Sequence, residues 1–72
     1  MPISEEQLAN WFSYHAPDAE DVQAYAVIRE AGLHLARMIV ANTPPSADQT
    51  AAIRKVREAV FTANSARACK GK

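Results

Sequence analysis

The segment NTPPS, Asn42 to Ser46, decides the fold, because only a few residues there separate two long runs of helical pattern. Proline cannot continue a helix, so Pro44 and Pro45 end the run that precedes them. Ser46 and Gln49 have the spacing of a capping box, which predicts that a new helix begins at this point. A connection of about four residues makes two long helices fold back antiparallel. The segment therefore predicts a helical hairpin.

Each run that flanks this segment carries an apolar seam with alternating spacings of three and four residues, the pattern of packed helices. The seam positions are Tyr25, Ile28, Gly32, Leu35 and Ile39 in the first run, and Ile53, Val56, Val60 and Ala63 in the second. Glycine costs about 1 kcal/mol relative to alanine inside a helix, so Gly32 is expected where a neighbouring helix approaches closely. The next seam position is Arg67, where the apolar register is predicted to stop.

A shorter helix is predicted ahead of the hairpin. Ser4 and Gln7 form a capping-box pattern, and Leu8, Trp11 and Phe12 then share one helical face. So short a helix is unstable alone, so this face must pack against something.

The boundary before the hairpin is also marked. Pro17 disfavours helix at Ala16, and Asp18 can cap the helix that follows. We therefore expect an all-α fold, in which a short N-terminal helix precedes a long antiparallel helical hairpin that assembles into a helical homo-oligomer. The predicted helices within a single domain, 1–72, are 4–13, 18–42 and 46–68.

Size and composition predict self-association. A chain of 72 residues buries only about 60% of its unfolded surface, so such domains usually need a disulfide, a metal or a partner. Cys69 is the only cysteine, and His15 and His34 are nineteen residues apart, so neither a disulfide nor metal-site spacing is predicted. Hydrophobic residues form 49% of the chain, which for so small a domain favours another copy as the partner.

The charge balance restricts the other partners. Eight basic and eight acidic residues cancel, which argues against binding to polymeric nucleic acid, whereas a small anion needs only one or two cations. No apolar run of about 18 residues predicts a membrane span or a membrane partner. The acidic, polar start and the single free cysteine are expected of a protein in a reducing cytoplasm.

The sequence carries no enzyme signature. A Gly-rich phosphate loop, a nucleophile motif and the HExxH pattern are all missing. Nothing in the sequence pairs His15 or His34 with an acid or a nucleophile. We therefore predict a protein that is not an enzyme, with no catalytic residue, no metal ligand and no cofactor.

The segment WFSYHAPD, Trp11 to Asp18, places three rings and an imidazole just before the first long helix. Tyr14 and His15 lie on a connector ahead of Pro17. They could anchor the first helix on the hairpin, or they could stack on a nucleobase, which contributes about 1–3 kcal/mol per base. A nucleotide also needs a cation for its phosphate. The candidate is Arg29, about three turns into the following helix, because a planar guanidinium can bind two phosphate oxygens at once.

Asn64 is a polar residue on the seam side of the second long helix, with Val60 one turn before it and Ala68 one turn after it. A polar side chain beside an apolar stripe can specify the register of an assembly. It can equally hydrogen-bond a ligand at a subunit boundary. The sequence favours neither interpretation.

Taken together, these segments resemble the helical-hairpin family of phage anti-defence sponges, the small anti-CBASS and anti-Thoeris proteins that sequester cyclic nucleotide immune signals. The resemblance runs from about Phe12 to Asn64. It is carried by FSYHAPD, QAYAVIREAGLHLA and TPPSADQTAAIRKVREAVFTAN, in this order and spacing.

The resemblance implies a non-enzymatic binder in the bacterial cytoplasm of a phage-infected host, a homo-oligomer, commonly a hexamer, with ligand pockets at subunit boundaries. The implied ligands are cyclic dinucleotides such as cGAMP, with cyclic trinucleotides or cyclic ADP-ribose as further candidates. By position, Tyr14 and His15 would stack on or flank the bases, and Pro17 would shape the pocket lip. Arg29 would face phosphate, and Asn64 would lie where subunits meet. The alternative is a structural helical oligomer with no small-molecule ligand.

Overall fold

The computed structural model describes residues 2–72, which form three α-helices. These are α1 (Glu5–Trp11), α2 (Ala19–Asn42) and α3 (Ala47–Ala68). The described residues contain no strand, and α2 and α3 pack against each other as a hairpin. The predicted fold class, all-α with a short N-terminal helix ahead of a helical hairpin, is confirmed.

The first two helices begin at reciprocal caps. Ser4 Oγ accepts a hydrogen bond from the Gln7 backbone N–H at 3.0 Å, and Gln7 Oε1 accepts one from the Ser4 N–H at 3.1 Å. Asp18 and Asp21 form the equivalent pair at the start of α2, at 2.8 and 3.1 Å. Each pair satisfies two N–H groups that a helix start would otherwise leave without a partner. The first helix ends at Trp11, earlier than the expected limit at residue 13.

The start of α3 differs from the predicted capping box. Ser46 Oγ accepts from the Gln49 backbone N–H at 3.1 Å, as expected. The Gln49 side chain instead donates to the carbonyl and the hydroxyl oxygens of Thr43, each at 3.1 Å. Thr43 follows the last residue of α2, where carbonyl groups lack an intrahelical partner, and the amide of Gln49 satisfies one. Gln49 thus ties the end of α2 to the start of α3.

Gly32 lies where α3 leaves no room for a side chain. A Cβ built at Gly32 would stand 2.6 Å from Val60 Cγ2 and 3.7 Å from Val56 Cγ1. The expected close approach of a neighbouring helix is therefore confirmed, and α3 is that neighbour.

The predicted apolar seam of α2 is wrong at one position. Leu35 is 51% exposed, and Ala36 is the half-buried residue at that level of α2. An α-helix has 3.6 residues per turn, so a strict alternation of three and four drifts away from a straight partner. In this hairpin the step after Gly32 is therefore four residues and not three.

The apolar register stops at Arg67, as predicted. Arg67 Nε donates to Asp21 Oδ1 at 2.9 Å, and its guanidinium lies 4.0 Å from Glu20 Oε2. Ion pairs thereby connect the end of α3 to the start of α2.

The single chain has no core. None of residues 2–72 is buried. The radius of gyration is 15.3 Å, against about 11 Å for a compact chain of this length. The overall dimensions are 44 × 33 × 16 Å. Large apolar side chains stay exposed on all three helices. Among the described residues, no helix has the length and apolarity that crossing a membrane requires.

Candidate functional site

Two rings of the connector, residues 12–18, point into solvent. Phe12 is 85% exposed and Tyr14 is 87% exposed. Within the described part of the chain, no hydrogen bond involves the Tyr14 hydroxyl. Neither ring anchors α1 on the hairpin within one chain, and both present free aromatic faces.

His15 contacts both the first helix and the residue that ends α3. It is half-buried, and its Nε2 lies 2.7 Å from the Asn10 carbonyl oxygen, where an imidazole N–H donates. Cys69 Sγ is 4.0 Å from the same nitrogen. Residues 2–72 contain no group of three or more His, Cys, Asp or Glu side chains that could hold a metal ion. Pro17 is exposed and directly precedes the Asp18 cap of α2.

Arg29 lines an apolar groove of about 240 Å³ between α2 and α3. We call it the arginine groove; its lining residues are Arg29, Gly32, Leu33, Ala36, Ile53, Val56, Arg57, Val60 and Phe61. Gly32, Val56 and Val60 are seam residues, so the groove that they help to line reaches the seam between the helices. Leu33 is half exposed, so an apolar wall lies beside the guanidinium of Arg29.

Two residues of this groove were missed by the sequence analysis. The Arg57 guanidinium lies 5.5 Å from the centroid of the Phe61 ring, which is within cation–π range. Among residues 2–72, neither Arg29 nor Arg57 takes part in an ion pair. The available signal was the i, i+4 spacing of Arg57 and Phe61, combined with the antiparallel pairing that puts α3 opposite Gly32.

Asn64 has a buried oxygen without a partner. The residue is half-buried, and its Oδ1 accepts no hydrogen bond. An unsatisfied buried acceptor costs about 1–3 kcal/mol. No donor among residues 2–72 satisfies this oxygen, and because it is buried within one chain, a donor from a second subunit or from a ligand would reach it only after the side chain rotates.

The five residues singled out in the sequence do not form one site within a chain. The connector folds towards Asn10 and Cys69, whereas Arg29 lies about 15 Å along α2 from Ala19. The arginine groove, at about 240 Å³, is smaller than the about 300–1,000 Å³ that small-molecule pockets usually occupy.

These features define a class, a small all-α hairpin protein with an exposed aromatic connector and a cationic, apolar groove. The family described as "Acb2/Tad1, hairpin domain" matches residues 4–68. The chain therefore belongs to this family, the anti-CBASS and anti-Thoeris sponges of phages, as its resemblance predicted. The family consists of binding proteins that sequester cyclic nucleotide signals. Comparisons with curated proteins and with solved structures gave no match.

Proposed function

We propose that this protein is a phage anti-defence sponge that binds and sequesters a cyclic oligonucleotide signal in the host cytoplasm without cleaving it. Cyclic dinucleotides are the first candidates, and cyclic trinucleotides or cyclic ADP-ribose are the others. Family membership supports the class of ligand.

The observation that carries the proposal is the composition of the arginine groove. Its rim combines two guanidinium groups that have no ion-pair partner among the described residues, those of Arg29 and Arg57, with the exposed ring of Phe61. Guanidinium groups bind phosphate oxygens through paired hydrogen bonds, and aromatic faces accept any base. A cyclic nucleotide presents both kinds of group within one small molecule.

Assembly supplies the rest of the site in this proposal. The groove is too small in one chain, and the exposed ring of Tyr14 lies elsewhere on the surface. We place the connector of one subunit, with Tyr14, His15 and Pro17, over the arginine groove of another subunit in a homo-oligomer of six chains. Asn64, a half-buried residue near the end of α3, then lies at the subunit boundary.

Sequestration requires tight binding, since the sponge must hold the signal below the threshold of its receptor. Nanomolar affinity corresponds to about −12 kcal/mol. Isothermal titration with a panel of cyclic di- and trinucleotides is the test, and at least one should bind at nanomolar concentration. The bound nucleotide should be recovered intact after heat denaturation. Binding no tighter than micromolar across the panel, or recovery of a linear product, contradicts the proposal.

One observation favours the alternative, a structural oligomer without a ligand. His15 already hydrogen-bonds the polypeptide, so part of the connector has a purely structural contact. Tyr14→Ala separates the two functions, because this ring makes no hydrogen bond among residues 2–72. If the protein is a sponge, Tyr14→Ala should bind the cyclic nucleotide more weakly at an unchanged melting temperature. If the protein is a structural oligomer, Tyr14→Ala should lower the melting temperature, and neither protein should bind a cyclic nucleotide.

A further inference from the structure

The first helix is held to the hairpin in an unusual way. No Cα of α1 lies within 8 Å of a Cα of α2 or α3, although the side chain of Trp11 lines a pocket with Thr62 and Ala66 of α3. Two hydrogen bonds run from side chains of α1 to backbone carbonyl groups of residues 69–72, which we call the 69–72 turn. Asn10 Nδ2 donates to the Cys69 carbonyl at 3.3 Å. Trp11 Nε1 donates to the Lys72 carbonyl at 2.9 Å.

The 69–72 turn has a backbone geometry that sets where its carbonyl groups lie. Lys70 and Gly71 are both left-handed, with φ of 57° and 75°. The Lys70 N–H donates to Arg67 at 3.1 Å, and the Gly71 N–H donates to Ala66 at 2.8 Å. This is the Schellman ending of a helix, which reverses the chain direction beyond α3. A glycine usually occupies the first left-handed position, and here that residue is Lys70.

Asn10 links this turn to the connector. Its side chain donates to the Cys69 carbonyl, and its own carbonyl accepts from His15 Nε2 at 2.7 Å. Cys69 Sγ is 4.0 Å from the same imidazole nitrogen. His15 is therefore held by Asn10 beside Cys69, whereas its neighbour Tyr14 is exposed.

We propose that the 69–72 turn positions the connector for ligand, with Asn10 as the positioning residue between the turn and His15. This inference rests on the proposed function. Because the imidazole of His15 is held in place before binding, binding does not carry the entropic cost of ordering it. For one side chain this saving corresponds to about a 2- to 10-fold change in affinity.

The test uses the full chain and three variants. Asn10→Leu keeps the approximate size of the residue and raises its helix propensity, so that α1 is not weakened, but it removes the donor to Cys69. Gly71→Ala strains the left-handed turn while its new methyl group touches nothing within 4 Å. Lys70→Gly relaxes the same turn. The control is Ser46→Ala, which removes the cap of α3 about 30 Å away at the other end of the hairpin.

Two measurements are made on each variant. The emission of Trp11, the only tryptophan, reports the 69–72 turn without any ligand, and titration with the cyclic nucleotide that binds the wild type reports affinity. Asn10→Leu and Gly71→Ala should shift Trp11 emission to the red and weaken binding about 2- to 10-fold. Lys70→Gly should bind at least as tightly as the wild type. Ser46→Ala should lower the melting temperature and leave affinity unchanged.

Unchanged affinity in Asn10→Leu, with or without a shift in Trp11 emission, overturns the positioning role while the proposed function stands. An affinity loss in Ser46→Ala as large as that in Asn10→Leu also overturns it, because general destabilisation then explains both. A wild-type protein that binds none of the panel overturns the proposed function and the positioning role together.

Discussion

Arg29 and Arg57 come from different helices and share one groove with no ion-pair partner among residues 2–72. Arg67, by contrast, is paired with Asp21 at 2.9 Å. Exposed cations contribute little to stability, so an arginine without a partner can be changed with little effect on the fold. These residues therefore allow a clean separation of binding from folding.

Arg29→Ala should weaken cyclic dinucleotide binding by about 2 kcal/mol, because charge-assisted hydrogen bonds to a desolvated anion are strong. Arg29→Lys should restore only part of the lost binding free energy, because an ammonium group keeps the positive charge but lacks the planar pair of donors of a guanidinium. The melting temperature without ligand should barely change. Titration and thermal unfolding on the same sample measure both quantities.

The matched control for this experiment is Arg37→Ala, which removes the same charge from the same helix outside the arginine groove. It should leave affinity within about twofold of the wild type, as screening predicts for a distant exposed charge. Equal losses in the two variants would indicate a general charge effect. A dissociated oligomer in Arg29→Ala with unchanged affinity per folded subunit would assign Arg29 a structural role.

At the scale of the elements, two contacts between α2 and α3 set the geometry of the hairpin. One is steric, the close approach of Gly32 to Val60. The other is electrostatic, the pairing of Arg67 with Asp21 and Glu20 at the open end. The Thr43–Gln49 hydrogen bonds close the opposite end. Each contact predicts a separate effect on stability.

Gly32→Ala should destabilise the hairpin by about 1 kcal/mol. The new methyl group would stand 2.6 Å from Val60 Cγ2, and valine in a helix is stiff at χ1 and cannot turn aside. Overpacking costs about 1–3 kcal/mol, and the better helix propensity of alanine returns about 1 kcal/mol. In a Val60→Ala background the clash is removed, so the same substitution should stabilise. Urea unfolding at one fixed protein concentration measures all four proteins, and an effect of the same sign in both backgrounds would contradict the clash.

Acid should weaken the junction of α2 and α3. The backbone N–H of Asp18 and the Arg67 guanidinium hold the pKa of Asp21 below its ordinary value of 3.8, against partial burial, which raises it. A carboxyl group whose pKa is lower in the folded state stabilises the folded protein at pH values above its unfolded-state pKa. That contribution is lost as the pH falls through the folded-state pKa. The contribution of Asp21 should therefore be complete above about pH 5 and lost below its ordinary pKa.

Arg67→Gln checks this assignment, because it removes the charge partner and leaves the Asp18 hydrogen bond in place. The free energy of unfolding of the two proteins should differ most above pH 5 and converge at low pH. Both proteins should begin to lose this contribution at the same pH, which the unfolded-state pKa sets, and the variant should lose less of it because its Asp21 pKa is lowered less. A difference that stays constant from pH 2 to pH 7 would mean that Arg67 acts through packing.

At the scale of the whole molecule, the described chain lacks a buried hydrophobic core, which stabilises most domains. None of residues 2–72 is buried, and large apolar side chains are exposed on α1, α2 and α3. A small chain without a buried core would be marginally stable at best in water. Contacts between copies are the direct way to cover these faces.

We predict that the protein is an oligomer of several 7.9 kDa chains at micromolar concentration, and that Leu35 contributes to the contact. Leu35→Glu, which puts a charge at an exposed apolar position of α2, should lower the mass measured by light scattering. Gln23→Glu adds the same charge at an exposed polar position of the same helix and should not. A wild type with the mass of one chain would refute the prediction, and equal masses in wild type and Leu35→Glu would place the contact elsewhere.

The sequence by itself determined where helices begin, end and turn. The caps at Ser4 and Asp18, the prolines of the NTPPS segment and the Gly32 gap are signals that act within a few residues or through the absence of a side chain. The backbone responds to such signals locally, so one sequence is enough to interpret them. The resemblance to the sponge family depends on the same ordered motifs.

Only the tertiary structure decided which residues meet. Ala36 and not Leu35 lies on the seam, Arg57 and Phe61 join Arg29, and His15 binds Asn10 beside Cys69. These contacts join residues that are far apart in the chain, and their register depends on the packing of one helix against another. A drift of a fraction of a residue per turn, invisible in a heptad pattern, moves a side chain from the seam to the surface.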